Sequence, residues 1–319
     1  MIGIRDVACY LPEGELTSAE LASRLDFKPN FLEGKVGIET RHIAAPRETT
    51  SDMAVRAFEN LQQRCPGEDY GDVGLVLLCT QNPDYKMPHT ASLVQHRLGL
   101  PKTALSFDIS LACSGYVTSV VTAKALMNEL GVRKALVFTS DPYSKIIDPN
   151  DKTTVALFGD AASVSIIEEG APLQICKGTF GNDGGKGQAA IIWGSGTARE
   201  PGEPERFRLD GRGIYELLKT EAPINIRACA ELNQISLDDV DLFLFHQASG
   251  WLLKGLLEDL QLPTEKVPIN IKNVGNTVSS SIPLLLEKVL YNGQPLPRTS
   301  LMAGFGAGLA WGSVVLRAA

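Results

Sequence analysis

The stretch Phe107-Asp-Ile-Ser-Leu-Ala-Cys-Ser-Gly-Tyr116 governs how the rest of this chain is read. A β-prone run, Ala104 to Ile109, leads into a turn of small residues. From Val117 to Leu130 the apolar residues Val120, Val121, Ala125, Leu126 and Leu130 predict a helix. Cys113 therefore falls between a buried strand and a helix N-terminus. The partial positive charge of a helix end lowers a thiol pKa, and Ala112, Ser114 and Gly115 leave room for a substrate. A small core cysteine fits the same local sequence, because free cysteines are among the most buried residues. The remainder of the chain has to decide between nucleophile and filler.

The totals bound the problem. A chain of 319 residues is long enough for two domains or one large pseudo-duplicated one, and 44% hydrophobic with 21% charged residues describes an ordinary globular protein. The net charge of −7, with no basic cluster, argues against nucleic acid as a partner. The N-terminus has no signal-like segment, and no apolar run reaches the roughly 18 residues needed to span a membrane, so a cytoplasmic location is expected. The six cysteines (9, 65, 79, 113, 176 and 229) form no C-x-x-C pair and have no neighbouring histidine. Neither a disulfide framework nor a zinc site is expected, and the four histidines (42, 89, 96 and 246) do not suggest another metal site.

In chain order, Ile2 to Leu11 reads as a strand, Thr17 or Ser18 to Leu25 as a helix with Glu20 placed for an N-cap motif, and Phe31 to His42 as a mixed loop. Ser51-Asp52 opens a helix to about Gln63, and a loop from Gln81 to Pro88 precedes a helix from Thr90 to Leu98. DVGLVLLCT (72–80) and Ala135 to Ser140 are near-continuous apolar runs, as in strands buried on both faces. A strand from Ser163 to Ile167 follows Phe158-Gly-Asp-Ala-Ala162. Strands alternating with helices predict an α/β fold with a mostly parallel sheet. The second half repeats the first in pattern. DVDLFLFHQ (239–247) echoes 72–80, TSLMAGF (299–305) echoes KALVFTS (134–140), and GLAWGSVVL (308–316) echoes the strand after Phe158-Gly-Asp. Long helices precede each first buried strand, at Met53 to Gln63 and Gly213 to Leu232. Two pseudo-duplicated α/β halves, 1–170 and 171–319, are expected, with Gly181 to Glu205 an irregular loop.

Three residues then share one topology. Cys113, His246 and Asn276 each lie just past or a short way beyond a buried strand, His246 before a helix at Trp251 to Leu260 and Asn276 before one at Ser281 to Leu290. Ligands of open α/β sheets gather at the carboxyl ends of strands, so the three can converge. Taken alone, His246 reads as a satisfied structural histidine and Asn276 as a turn or cap residue. The turn Gly304-Phe-Gly-Ala-Gly308 follows another strand and exposes backbone N–H groups of the kind that build an oxyanion hole.

These motifs resemble the β-ketoacyl-acyl-carrier-protein synthase III family of the thiolase superfamily. The likeness runs through nearly the whole chain. It is carried by DISLACSGY (108–116), DPNDKTTVALFGDAA (148–162), FHQASG (245–250), NVGNTVSSSIP (273–283) and GFGAGLAWGS (304–313), with GIETRHIAAP (37–46) and PDYKMPHTASLVQHRLGL (83–100) in support. The resemblance implies a thiolase fold, two α/β halves stacked in five αβαβα layers, and an acyltransferase. It implies that Cys113 is acylated by a primer thioester, with the N–H groups of Cys113 and Ala307 as oxyanion hole. His246 and Asn276 then hold the carbonyl of a malonyl thioester through decarboxylation and Claisen condensation, and Gly306 and Phe305 line the substrate site. No cofactor is implied, only acyl-CoA and malonyl-CoA or carrier-bound thioesters as substrates, and a homodimer is expected.

The pattern also departs from that family. Where a Trp and two Arg typically clasp the nucleotide of coenzyme A, this chain has Phe31, Lys35 and Lys152, which keep charge but lose bidentate phosphate recognition. Basic carrier-docking positions are Glu216, Trp251, Glu258 and Asp259, with only Lys254 basic nearby, so an acidic carrier protein meets like charge unless Arg206, Arg208 and Arg212 serve instead. Met87 falls where the family has a residue facing the acyl pocket. These departures point to a specialised pathway, of secondary metabolites or modified fatty acids. The alternative reading is an acyltransferase that passes the Cys113 acyl group to a small-molecule acceptor without condensation. A non-catalytic partner subunit would not be expected to hold Cys113, His246 and Asn276 together.

Overall fold

The computed structural model describes residues 1–28, 31–198, 202 and 204–319. The chain opens with β1 (Ile2–Tyr10), β2 (Gly14–Thr17) and α1 (Ser18–Arg24), the last started by a Thr17/Glu20 capping box. What reads in sequence as a mixed loop from Phe31 to His42 is a helical turn, Phe31–Val36, followed by β3 (Thr40–Ile43), which pairs with β2. There follow α2 (Thr50–Arg64), β4 (Val73–Cys79), α3 (Thr90–Arg97), β5 (Leu105–Ile109), α4 (Gly115–Leu130), β6 (Lys134–Ser140), α5 (Lys152–Val155) and β7 (Ala162–Glu169). The rest comprises β8 (Leu173–Asn182), β9 (Ala190–Trp193), β10 (Arg206–Leu209), α6 (Gly211–Leu232), β11 (Leu242–Phe245), α7 (Gly250–Leu260), α8 (Ile271–Val274), α9 (Ser281–Tyr291), β12 (Thr299–Gly306) and β13 (Ala310–Ala318).

Nine strands form one hydrogen-bonded sheet in the order β11-β12-β13-β8-β1-β7-β6-β4-β5. It is mixed, not mostly parallel. Only β11/β12 and β6/β4/β5 are parallel, and the five junctions from β12 across to β6 are antiparallel. The parallel pairs are those whose crossovers carry helices, whereas antiparallel neighbours need none. The sheet turns at its middle, where β1 and β8 share only the pairs Gly3↔Gln174 and Ile4↔Leu173. Alternation along each strand then feeds separate layers. Leu75 and Leu77 face α4 in a central core that also takes Leu244, Met302 and Val314 from the second half, while Val76 and Leu78 face an outer core with Met53 and Phe58 of α2. Phe243, Leu301 and Val315 face a third core under α6 and α7. α4 and α9 are thus the helical layer between two sheet layers, and α2 with α3 and α6 with α7 are the outer ones.

Two further expectations change. Residues 181–205 are not wholly irregular: β8 runs to Asn182, and β9 pairs with β10 as a small ribbon, while 199–201 and 203 lie outside the described residues. Gly181 belongs to β8 and serves packing, since a Cβ there would stand 2.5 Å from the Trp311 ring. β5 is an edge strand and not a buried one. It hydrogen-bonds on one side to β4, and Leu105 is 43% exposed.

Candidate active site

Cys113 sits in a single helical turn, Ala112–Ser114, that joins β5 to α4. Ala112 adopts a positive φ of 37°, which swings the chain sharply before the helix. Gly115 must be glycine, because a Cβ there would stand 2.1 Å from Cys79 Sγ. β12 then slides against the turn from the second half. A Cβ on Gly304 would lie 2.4 Å from the Cys113 carbonyl oxygen, and one on Gly306 2.9 Å from Cys113 Sγ. The Gly304–Gly306 spacing is therefore a requirement for bringing the two halves into contact at the thiol. Burial and then the Asp141 carboxylate push the Cys113 thiol well above the usual thiol range, and its own N–H offsets only part of this. The helix end does not win, contrary to the sequence expectation of a stabilised thiolate, because the side chain is packed between the halves.

His246 follows β11, and its N–H donates to Ala303 O (2.9 Å), extending the β11/β12 ladder by one residue. The ring is fully buried, and burial lowers its pKa to about 3, so the imidazole is neutral at physiological pH. Nδ1 lies 2.7 Å from Ser281 Oγ, the first residue of α9. That hydroxyl carries one proton and has two acceptors in reach, His246 Nδ1 and Val278 O (3.0 Å). If it donates to Nδ1, the ring proton is on Nε2; if it donates to Val278 O, Nδ1–H donates to Ser281 and Nε2 is a bare lone pair.

Asn276 is reached by a crossing of the two halves. Its N–H donates to Leu157 O (2.9 Å) and its carbonyl accepts from Gly159 N–H (3.1 Å), a one-residue parallel bridge with Phe158. Gly275 has φ 71°, and a Cβ there would meet Leu157 O at 3.0 Å and Arg41 Cγ at 3.1 Å. Arg41 is buried beneath this crossing, with Nε donating to Ala156 O (3.0 Å) and Nη1 to Ser18 Oγ (2.8 Å). The Asn276 amide accepts from Val278 N–H (2.9 Å) and donates one of its two N–H bonds to Ala248 O (3.3 Å), which leaves the second.

The three side chains line one cavity of about 50 Å3 together with Phe305, Gly306 and Ala307. The Phe305 ring meets His246 edge-on, with centroids 6.0 Å apart. Everything else lining it is apolar or aromatic, from Tyr143, Leu157, Phe158 and Ala190 to Phe207, Leu209, Ile214 and Leu252.

Residues 107–184 match the family described as 3-oxoacyl-[acyl-carrier-protein] synthase III, and residues 230–318 match its C-terminal counterpart. The β-ketoacyl-[acyl-carrier-protein] synthase III of Streptococcus sanguinis is 32% identical over 98% of both chains. The chain belongs to the synthase III family. The corresponding enzyme of Thermus thermophilus is similar in structure, with a TM-score of 0.91, 32% identity and 99% of each chain covered. A priming β-ketosynthase of the R1128 polyketide pathway superposes with a TM-score of 0.89 at 26% identity, over 100% of this chain and 96% of that one. This synthase III has the thiolase fold and is an acyltransferase. Among its described residues no helix is long and apolar enough to cross a membrane, and no group of three or more His, Cys, Asp or Glu could hold a metal.

The other sequence candidates lie outside the cavity of this synthase. Phe31 stacks on Phe27 (5.8 Å, 13°), and Lys152 donates to the Asp26 carbonyl with its ammonium 5.9 Å from the Phe27 ring. Lys35 is exposed on the Phe31–Val36 turn. Met87 does not line the cavity; it is 86% exposed, on the loop before α3. Trp251 stacks on Tyr215 (5.0 Å) beside a separate cleft between α6 and α7. Lys254 is not the only base there: Lys219 pairs with Asp259 (2.6 Å) and Arg212 with Glu216 (3.2 Å), so two acidic positions are neutralised from α6. Sequence reasoning passed over Ser281, Tyr143 and Phe207. Ser281 stands in the quoted motif NVGNTVSSSIP, but nothing in that motif says which of its serines meets His246.

Proposed function

We propose that this synthase III catalyses a decarboxylative Claisen condensation on an acyl-Cys113 intermediate. The observation that carries the reading is the convergence of Cys113 from one half with His246 and Asn276 from the other in a single apolar cavity. Cys113 attacks the carbonyl of a primer thioester. Its proton leaves as the carbon–sulfur bond forms and passes to the departing thiolate, while neutral His246 keeps the Nε2–H tautomer in which Ser281 Oγ–H donates to Nδ1. The N–H groups of Cys113 and Ala307 hold the oxyanion.

In the second step a malonyl thioester presents its carbonyl oxygen to His246 Nε2–H and the remaining Asn276 N–H. The bond to the carboxylate breaks, carbon dioxide leaves, and the electron pair becomes an enolate whose oxygen those two donors stabilise. The enolate carbon attacks the acyl thioester, a carbon–carbon bond forms, and Cys113 leaves as thiolate and takes up a proton from solvent. Loss of one such donor costs about 3–4 kcal/mol of transition-state stabilisation. The apolar lining of the cavity strengthens both donors. Only thioesters are consumed, so acyl-CoA or acyl-carrier thioesters are substrates and no cofactor is invoked.

Delivery is the unusual part. Lys152 is engaged by the Asp26 carbonyl and Phe27, and the cleft beside Trp251 is charge-balanced, which favours a specialised pathway over the housekeeping one. We also propose a homodimer formed along β5, whose free edge lies beside exposed Leu105. The test is incubation with a primer thioester and malonyl-CoA or malonyl-carrier protein. A β-ketoacyl product with release of carbon dioxide is expected. Accumulation of acyl-Cys113 with no carbon dioxide from any malonyl donor would sink the proposal and favour transfer to another acceptor.

A further inference from the structure

The two half-reactions leave a fully buried carboxylate without a role. Asp141 directly follows β6, and among the described residues its hydrogen-bond partners are all neutral. Oδ1 accepts from the Gln81 N–H (2.9 Å) and from Thr80 Oγ1 (3.4 Å), both just past β4. Oδ2 accepts from the Ser279 hydroxyl, which belongs to the second half. Burying an ion without a counter-ion is costly, and burial raises the Asp141 pKa against the pull of Ser279 and Gln81.

Ser279 stands between the groups that hold the malonyl carbonyl. It is the middle residue of the turn Val278–Ser280, with Asn276 shortly before that turn and Ser281, which meets His246 Nδ1, directly after it. The turn is strained. Val278 is β-branched and has a φ of 53°, a conformation that persists only where the surroundings impose it. Its N–H donates to Asn276 Oδ1 (2.9 Å), so relaxation of Val278 would release the Asn276 amide. The first half holds this segment on either side of Ser279. The Asn276 backbone is bridged to Leu157 and Gly159, and Ser280 Oγ lies 2.7 Å from Thr139 Oγ1 and 3.2 Å from Ala161 O. In the middle the anchor is Asp141, and a hydrogen bond to an ionised group is roughly twice as strong as a neutral one.

We propose that Asp141 is a positioning residue for condensation: through Ser279 it holds the Val278–Ser280 turn in the conformation that aims the Asn276 amide and the Ser281–His246 pair at the malonyl carbonyl. This rests on the condensation reading above. The carboxylate touches no substrate in this role. It acts from the Cys113 half on two donors of the other half, and acylation of Cys113 uses neither of them. Loss of the link therefore separates the two half-reactions, and a misplacement of about 1 Å far from the chemistry is enough to cost roughly 100-fold.

The experiment uses the full chain with acetyl- and malonyl-N-acetylcysteamine, which need neither a nucleotide nor a carrier for delivery. Intact mass reads the loading of Cys113 with acetyl, and carbon dioxide release from the loaded enzyme reads condensation. In Ser279→Ala, loading should stay within about threefold of the wild type while release slows roughly 10- to 100-fold. Asp141→Ala should slow release as much. Asp141→Asn should release within about threefold of the wild type, because its amide can offer an oxygen to the Gln81 N–H and an N–H to Ser279 Oγ. Where Asp141→Ala does not fold, Ser279→Ala and Asp141→Asn decide. Release at the wild-type rate from loaded Ser279→Ala would overturn the inference. So would equal losses of loading and release in that variant, or an Asp141→Asn variant as slow as Ser279→Ala. A wild type that loads acetyl and releases no carbon dioxide would overturn the condensation reading beneath it.

Discussion

The two helices at the centre of the molecule are entered through the same kind of turn and used differently. α4 follows the single turn Ala112–Ser114, opened by Ala112 at φ 37°; α9 follows Val278–Ser280, opened by Val278 at φ 53°. Each helix then begins against the end of a buried strand, Gly115 against Cys79, the last residue of β4, and Ser281 against His246, the first residue after β11. In the first half the contact is closed packing with no room for a Cβ. In the second the corresponding position carries a hydroxyl that holds an imidazole. One backbone device thus presents a thiol in one half and supports a hydrogen-bonding ring in the other, which shows how a repeated architecture acquires an asymmetric site.

The largest expected effect concerns the buried ring. His246 has a pKa of about 3 in the folded chain against about 6.5 for an ordinary histidine. Below pH 6.5 the unfolded chain binds a proton that the folded chain does not. The stability this group supports is therefore full above pH 6.5 and is lost progressively as pH falls toward 3, by at most about 1.4 kcal/mol per pH unit. Urea unfolding across that window should show a shallower acid loss in His246→Gln than in the wild type. Cys79, its counterpart, has a pKa raised by burial and contributes nothing to that slope.

Gly115→Ser makes the first half imitate the second. With Cys79 Sγ 2.1 Å from the new Cβ, the variant should lose about 1–3 kcal/mol of stability by denaturant midpoint, and Cys79→Ala in the same chain should recover part of it. An unchanged midpoint would mean that the two turns are interchangeable. Ser281→Ala makes the second half imitate the first. Without the hydroxyl the Nε2–H form of His246 loses its support, so condensation should slow roughly 3–10-fold while Cys113 acylation changes little. Ser281→Thr should restore the ratio of the two rates, whereas a merely structural loss would lower both together.

Much of this was legible in the sequence because it lies in local pattern. The strand–turn–helix at Cys113 and the repeat of 72–80 in 239–247 appear in the structure as the elements their periodicity implies, whereas the glycine stretch Gly304–Gly308 is a turn only at its end, because β12 runs through Gly306. What was not legible depends on contacts between distant segments. The antiparallel middle of the sheet follows from where β1 and β8 are inserted, and β8 was hidden by Gly178 and Gly181, whose absent side chains admit Phe180 and Trp311. The helix-end argument for a thiolate at Cys113 failed because it weighed a local dipole and could not weigh the desolvation and the Asp141 charge that long-range packing brings. Tyr143 and Phe207 meet only because the β9/β10 ribbon folds back over the loop after β6.

The central claim is that two halves complete one site, with Cys113 carrying the acyl group and Asn276 needed only for the second step. It is tested most directly by loading Cys113 with acetyl and following a single turnover with a malonyl thioester, in the wild type and in Asn276→Ala. In the wild type the acetyl mass should leave Cys113 as one equivalent of carbon dioxide and a four-carbon β-ketoacyl thioester appear. Asn276→Ala should load normally and then hold its acetyl group, with carbon dioxide release slowed about 100- to 1,000-fold. Wild-type turnover without carbon dioxide, or an Asn276→Ala variant as fast as the wild type, would contradict the account.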